Sequence, residues 1–74
     1  MKFSQLKIKQ RVQYVPRVQC RQHWRGASGT VIRLFHPHDN FPGAAAVQLD
    51  VRPAEWPYSD DLIFAPWAPE LKPI

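Results

Sequence analysis

The chain has 74 residues, the size of one small domain, and 45% of them are hydrophobic, so we expect a folded chain and not a disordered one. No apolar run approaches the ~20 residues of a membrane-spanning helix, and the first residues lack the apolar core of a signal peptide. The single cysteine, Cys20, excludes a disulfide within the chain, whereas small secreted domains usually have several. We therefore expect a cytoplasmic protein that does not bind membranes.

Charge is distributed unevenly along the sequence. Residues 1–38 contain eight lysines and arginines and no acidic residue, whereas residues 39–74 contain all six acidic residues and two basic ones. The two halves therefore have charges of +8 and −4 within a net charge of +4. This polarity indicates an acidic partner, either a nucleic acid or an acidic protein surface. The alternative is that neighbouring strands from the two halves neutralise one another in the fold.

In the first half of the chain, two segments have the pattern of β-strands. Apolar and polar residues alternate over most of residues 6–15, which indicates a half-buried strand that ends at Pro16. Residues 16–25 are polar and basic and predict a long loop. The glycine-containing turn at residues 26–29 then leads into residues 29–35, which are rich in β-branched and aromatic side chains and predict a second strand.

The second half contains shorter elements separated by proline. Residues 36–43 carry the signals of a turn, and three short strands are predicted at residues 45–50, 55–59 and 63–65. A single capped helical turn is predicted at residues 59–62, and the prolines of residues 65–74 predict an extended tail that packs on the body through Trp67. Several short strands in a chain of this length indicate an all-β fold, either a small barrel or a sandwich.

The order of these elements resembles an SH3-like barrel of the kind seen in KOW domains. The resemblance is carried by residues 9–15, 26–32, 47–50, 55–56 and 60–62. In this order Gly26 and Gly29 permit a positive φ and a close backbone approach where the loop re-enters the sheet. The resemblance implies a single five-stranded antiparallel SH3-like barrel over residues 1–74, with its core at about 8–64 and an extended proline-rich tail at 65–74.

A second similarity is to the barrel at the end of the nitrile hydratase β subunit. It is carried by residues 25–31, by residues 47–50 together with Trp56, and by residues 67–73. The metal-binding cysteine cluster of that enzyme lies on its other subunit, and this sequence contains no such cluster. Barrels of this form also serve as ribosomal and transcription-factor modules and as accessory subunits, so the resemblance implies binding more than chemistry.

Basic and aromatic residues mark the predicted contact surface. Arginines and one tryptophan are dense at residues 17–25, and an aromatic residue lies at the tip of the proline-containing turn. Tryptophan, tyrosine and arginine are the usual anchors of protein interfaces. We predict that a partner is bound by Arg17, Arg21, Trp24, Arg25, Arg33 and Phe41. For Trp24, packing within the loop is the alternative.

The sequence therefore predicts a binding module or accessory subunit, with no chemistry of its own, that recognises an acidic protein surface through a basic and aromatic loop. The alternative is a KOW-like nucleic-acid-binding protein, in which the same arginines contact phosphates and aromatic rings stack on bases. A third possibility is a small enzyme or enzyme subunit, with Cys20 as a nucleophile activated by its basic neighbours.

Cysteine and histidine occur in two of the predicted loops. Cys20 and His23 form one pair, and His36 and His38 form another. Zinc takes four such ligands in a tetrahedron, but the spacing between these pairs matches no zinc finger and one thiolate is few for a structural site. The sequence predicts no metal and no other cofactor, and these four residues are the alternative ligands.

Overall fold

The computed structural model describes residues 1–17, 22, 24–53, 56 and 61–74. Short 3₁₀ turns occur at Phe3–Gln5 and Ala68–Glu70, and within the described residues no helix has the length and hydrophobicity to cross a membrane. The other elements whose bounds are described are strands, which confirms the predicted all-β class. The strands are β1 (Arg11–Tyr14), β2 (Ser28–Phe35), β3 (Ala44–Leu49), β4 (Ile63–Phe64) and β5 (Leu71–Pro73).

All five strands belong to one antiparallel sheet, in the spatial order β4-β3-β2-β1-β5. The central strand β2 pairs with β1 on one side and with β3 on the other. Across the described residues, β4 and β5 are the two edges, so the hydrogen-bonded order is open and not a closed ring. The predicted strands at residues 29–35, 45–50 and 63–65 are confirmed as β2, β3 and β4.

A bulge in β2 determines which of its side chains face solvent. The pairing with β3 shifts register between Val31 and Arg33, so Ile32 is an extra residue. Before the bulge Gly29 and Val31 are buried, and after it Leu34 packs against the core. Because strand side chains alternate between faces, one inserted residue turns Arg33 and Phe35 to the outer face. Both would face inward in an unbroken strand.

The core combines buried side chains of the strands with buried side chains from the segments between them. Tyr14 is fully buried, and its hydroxyl donates a hydrogen bond of 3.2 Å to the Glu70 carboxylate. This bond satisfies the polar end of an otherwise apolar side chain. The core cluster consists of Leu6, Val12, Tyr14, Trp24, Val31, Ala45, Val47, Leu49, Trp56, Ala68 and Leu71.

The first strand is shorter than the alternating pattern predicts. Residues 7–10 form a turn, in which the Lys7 amide donates to the Gln10 side-chain oxygen at 3.0 Å and the Gln10 amide donates to the Lys7 carbonyl at 3.2 Å. Lys9 has a φ of 70° within this turn. The side-chain hydrogen bond of Gln10 competes with strand pairing, so β1 begins only at Arg11.

The predicted tail is wrong for its last residues, which form the fifth strand. Leu71–Pro73 pairs with β1, with Leu71 opposite Tyr14 and Pro73 opposite Val12. Leu71 is buried in the core, whereas Trp67, the predicted packing residue, is half exposed. A free edge of β1 offers unpaired backbone groups, and Leu71 supplies the apolar surface that makes pairing there favourable.

Two other predicted elements fall mostly outside the described residues. Of the strand predicted at residues 55–59, only Trp56 is described, and its side chain is buried in the core. Of the helical turn predicted at residues 59–62, only Asp61 and Leu62 are described, and Leu62 has a φ of 59°. These two predictions therefore remain predictions.

The two glycines at the entry to β2 have the roles that the sequence predicts. Gly26 has a φ of +88°, in the region that side chains disfavour. At Gly29 an added Cβ would lie 2.5 Å from the Gln48 carbonyl oxygen and 2.6 Å from the Val47 side chain. The close approach of β2 and β3 at this point requires a residue without a side chain.

We expect Gly29→Ala to destabilise the fold by about 1 to 3 kcal/mol, because the new methyl group overlaps backbone that has no room to move. The measurement is urea unfolding monitored by circular dichroism. Ser28→Ala, one residue earlier in the same strand, is the matched control and should change the unfolding free energy by less than about 0.5 kcal/mol. Equal effects of the two substitutions would contradict the close approach.

Candidate functional site

The predicted contact residues lie at opposite ends of the sheet. Arg25 lies just before the start of β2, and Arg33 lies near its end. The eight residues of β2 span ~23 Å at about 3.3 Å per residue. The Arg25 guanidinium donates to the carbonyl of Pro16, the residue before Arg17, whereas Phe41 follows the far end of β2. The structure therefore divides the predicted surface in two, and Arg21 lies outside the described residues.

At the first end, arginine is held by neighbouring protein atoms. The Arg25 guanidinium donates to the Gln22 side-chain oxygen at 2.8 Å and to the Pro16 carbonyl at 3.4 Å. The backbone amide of Arg17 donates to the Glu70 carboxylate at 3.3 Å. A cavity of about 440 Å³ beside Arg25 is also lined by Asp50 and Arg52. This end therefore mixes basic and acidic groups and is not uniformly basic.

Trp24 belongs to the core and not to the surface. Its side chain is 8% exposed, and its ring lies 5.3 Å from that of Trp56, which is 6% exposed. The structure thus shows Trp24 packed in the core, which is the alternative to partner contact. Burial of the Trp24 ring against a second tryptophan stabilises the fold more than exposure of that ring to water would.

At the other end of β2, aromatic rings surround a shallow depression of about 560 Å³, which we call the aromatic groove. Its rings come from the end of β2, from the loop between β2 and β3, and from the segment before the second 3₁₀ turn. The smaller side chain of Ala44, the first residue of β3, leaves space between them. The aromatic groove is lined by Leu34, Phe35, His36, His38, Phe41, Ala44, Ala65 and Trp67.

Trp67 is more exposed than either phenylalanine ring of the aromatic groove. It is 51% exposed, although its backbone is bridged to Ala44 and its ring packs edge to face with Phe41 at 5.7 Å. Contacts on one side therefore fix the indole while the other side remains in water. Exposed aromatic surface that is held in place is typical of interaction sites.

The loop that carries Phe41 is itself ordered by local bonds. His38 and Phe41 exchange backbone hydrogen bonds of 2.8 and 3.2 Å, and their rings are 5.2 Å apart. Asp39, the first residue of the turn between them, has a φ of 49°. The loop is also braced from the N-terminus, because the Phe3 ring fills the space where Gly43 has no Cβ and lies 5.1 Å from His36.

Arg33 joins the aromatic groove through Phe35. Its guanidinium carbon lies 5.5 Å from the centre of the Phe35 ring, which is a cation–π contact. Both residues are on the outer face, opposite Ala46 and Ala44 in the register of β2 and β3. The small alanines leave room beside the ring and the guanidinium. Two of the predicted contact residues, Arg33 and Phe41, thus lie at one site.

The structure places His36 and His38 among aromatic rings. His36 and His38 both line the aromatic groove, each beside a phenylalanine ring. Among the described residues, no group of three or more histidine, cysteine, aspartate or glutamate side chains lies close enough to hold a metal ion. Cys20 and His23, the other pair named from the sequence, lie outside the described residues.

One ion pair joins a basic residue from the first half of the chain to an acidic residue from the second half. The Arg11 guanidinium donates to both carboxylate oxygens of Asp50, the first at 2.7 Å, and to the Thr30 hydroxyl at 2.9 Å. Hydrogen bonding to Arg11, and then its positive charge, lower the pKa of Asp50, although desolvation opposes them. This pair lies beside Thr30 in the first half of β2, and neither of its residues lines the aromatic groove.

Sequence reasoning missed Phe35 and Trp67 as surface residues of one site. Alternation in β2 does not show the extra residue Ile32, so the outward direction of Phe35 was not readable. The signal at Trp67 was its place between Pro66 and Ala68-Pro69, where few large side chains are available to cover it.

Comparisons with protein-family profiles, curated protein sequences and solved structures found no match for this chain.

We expect Asp50 to titrate below the usual aspartate pKa of about 3.9 in the folded protein, and Arg11→Met to raise that pKa. The contribution of the ion pair to stability is present above the unfolded-state pKa and is lost as pH falls through the lower folded-state pKa. The measurement is an NMR titration of the Asp50 carboxyl carbon. Arg33→Met is the control and should leave the midpoint unchanged; an unshifted midpoint in Arg11→Met would contradict the pairing.

We expect Trp67 to dominate quenching of tryptophan fluorescence by acrylamide, because Trp24 and Trp56 are buried. Trp67→Phe should remove most of the quenchable emission, while Trp24→Phe should retain it. The comparison of the two slopes of emission against acrylamide concentration is the measurement. A larger loss in Trp24→Phe would mean that Trp67 is not the exposed ring.

Proposed function

We propose that this protein is a binding module whose contact surface is the aromatic groove. The observation that supports this proposal is the half-exposed Trp67 ring, fixed by Phe41 and bordered by Arg33 through Phe35. Tryptophan and arginine are the commonest anchors of protein interfaces, and they contribute most where they are held in place before binding. The partner we propose is a protein that inserts an apolar side chain between these rings.

We also propose that the sheet belongs to an SH3-like barrel. Support comes from the strand order, in which β1 to β4 follow one another as neighbours and β5 returns beside β1. The turn that begins at Gly26 leads into β2, and Val47 to Leu49 lie in β3, in the positions that the resemblance implies. The bulge in β2 adds the local twist by which a sheet of this size curves.

Binding to single-stranded nucleic acid is the second candidate for the same surface. The specific observation in its favour is the stack of Arg33 on Phe35 beside an exposed indole. A cation would meet a phosphate there, and an aromatic face would meet a base. The two candidates predict different ligands for one set of residues, so a single experiment separates them.

The experiment is selection of peptides from a random phage-displayed library on the immobilised protein, in parallel with titration of labelled oligothymidylate. We expect enriched peptides to bind Trp67→Ala at least about 10-fold more weakly than the wild type, as for an interface anchor. Phe41→Ala, in the facing ring, should weaken them in the same way. Arg25→Gln, at the opposite end of β2, is the matched control and should bind within about 2-fold of the wild type.

Circular dichroism spectra of the variants are the control that shows whether each retains the wild-type fold. Peptides that bind Trp67→Ala and Phe41→Ala as tightly as the wild type, or no enrichment at all, would exclude the aromatic groove as a protein-binding surface. Oligothymidylate binding that requires Trp67 and weakens steeply with salt would assign the surface to nucleic acid instead.

A further inference from the structure

The outer surface beside the aromatic groove continues along β2 to the turn of residues 7–10. The Lys9 amide donates to the Val31 carbonyl at 2.7 Å, and the Val31 amide donates to the Gln10 carbonyl at 2.9 Å. These bonds place the turn of residues 7–10 against the bulge. Ile8 at the turn is 49% exposed and Ile32 at the bulge is 40% exposed. Exposed aliphatic side chains therefore lie at the turn of residues 7–10 and at the bulge, adjacent in sequence to the basic residues Lys9 and Arg33.

The length of this surface suits a short extended segment. The path runs along β2 from Val31, which is hydrogen-bonded to Lys9, to Phe35 at the border of the aromatic groove. Its length is four residues, or ~13 Å. An extended peptide has the same rise per residue, so about four of its residues would cover the path. The exposed side chains at the turn and at the bulge include two aliphatic ones, Ile8 and Ile32, and two basic ones, Lys9 and Arg33.

The described segments that form this path carry mostly positive charge. The segments that form the aromatic groove and its border are residues 1–10, 33–46 and 65–69. They contain Lys2, Lys7, Lys9 and Arg33, and Asp39 is their single acidic residue. The side chains of these segments have a net charge of +3, with histidine counted as neutral. At the other end of β2, by contrast, Asp50 and Glu70 are present among the arginines.

We propose that the partner is an acidic protein segment that lies extended along the outer face of β2. An apolar side chain enters the aromatic groove, and carboxylates of the same segment pair with Arg33 and Lys9. This inference rests on the function proposed above and adds the chemistry and path of the partner. The exposed isoleucines favour a peptide over a nucleic acid, because aliphatic side chains offer no face on which bases stack.

The test uses fluorescein-labelled peptides with one phenylalanine at either end of a short run of glutamates, and the same peptides with glutamine in place of glutamate. We expect the glutamate peptide with the productive orientation to bind at least about 10-fold tighter than its glutamine counterpart at low salt, with a difference that shrinks as salt is added. Fluorescence anisotropy gives both affinities. Oligothymidylate is titrated as a separate ligand.

Variants locate the carboxylates. Arg33→Gln and Lys9→Gln should each weaken the glutamate peptide by about 3-fold to 10-fold and leave the glutamine peptide nearly unchanged. Arg25→Gln removes the same charge at the opposite end of β2 and should have an effect below about 2-fold. Trp67→Ala should weaken both peptides, because it removes the apolar contact that they share.

The outcomes separate this inference from the proposed function. If Trp67→Ala abolishes binding but glutamate and glutamine peptides bind equally, the aromatic groove is a binding site and the acidic segment is wrong. If Arg33→Gln and Lys9→Gln bind the glutamate peptide as tightly as the wild type, the acidic segment is likewise wrong and the aromatic groove remains a binding site. If neither peptide binds, or if oligothymidylate binds more tightly than both, the acidic protein segment is also excluded. An unchanged affinity in Trp67→Ala would overturn the proposed function itself.

Discussion

The single inserted residue in β2 is the constraint on which the outer surface of this protein depends. Strand side chains alternate with period two, so an odd insertion reverses the direction of every later side chain in the strand. Ile32 therefore allows the first half of β2 to supply Val31 to the core while the second half presents Arg33 and Phe35 to solvent. Without it, a guanidinium would face the core, which would cost several kcal/mol unless it were paired.

Charge polarity in the sequence has a different meaning in three dimensions. The acid-free first half of the chain does not form one basic face, because β1 and the start of β2 are close to acidic residues from the second half. Arg11 pairs with Asp50, and Glu70 accepts hydrogen bonds from Tyr14 and from the Arg17 amide. Among the described residues, the basic side chains of residues 7–10 and Arg33 form no ion pair, whereas that of Arg11 pairs with Asp50.

Local signals in the sequence sufficed for much of the fold but for only part of the site. Gly26 and Gly29 and the β-branched run after them predict the turn and β2, because their conformational preferences act over a few residues. β5 was not predictable, since Leu71 becomes a strand residue only through β1, more than fifty positions away. The same applies to the aromatic groove: Arg33 and Phe41 were candidates from composition, but only tertiary packing buries Trp24 and exposes Trp67.

The position of Pro73 at the edge of the sheet has a consequence for self-association. The Ile74 amide points toward β1, where it donates to the Arg11 carbonyl. Backbone amides alternate in direction along a strand, so the nitrogen of Pro73 points outward, where another chain would dock, and it carries no hydrogen. With Lys72 beside it, this edge is a poor template for intermolecular β-sheet growth. Association of two chains through this sheet edge is therefore disfavoured, although the protein exposes aromatic rings such as that of Trp67 elsewhere.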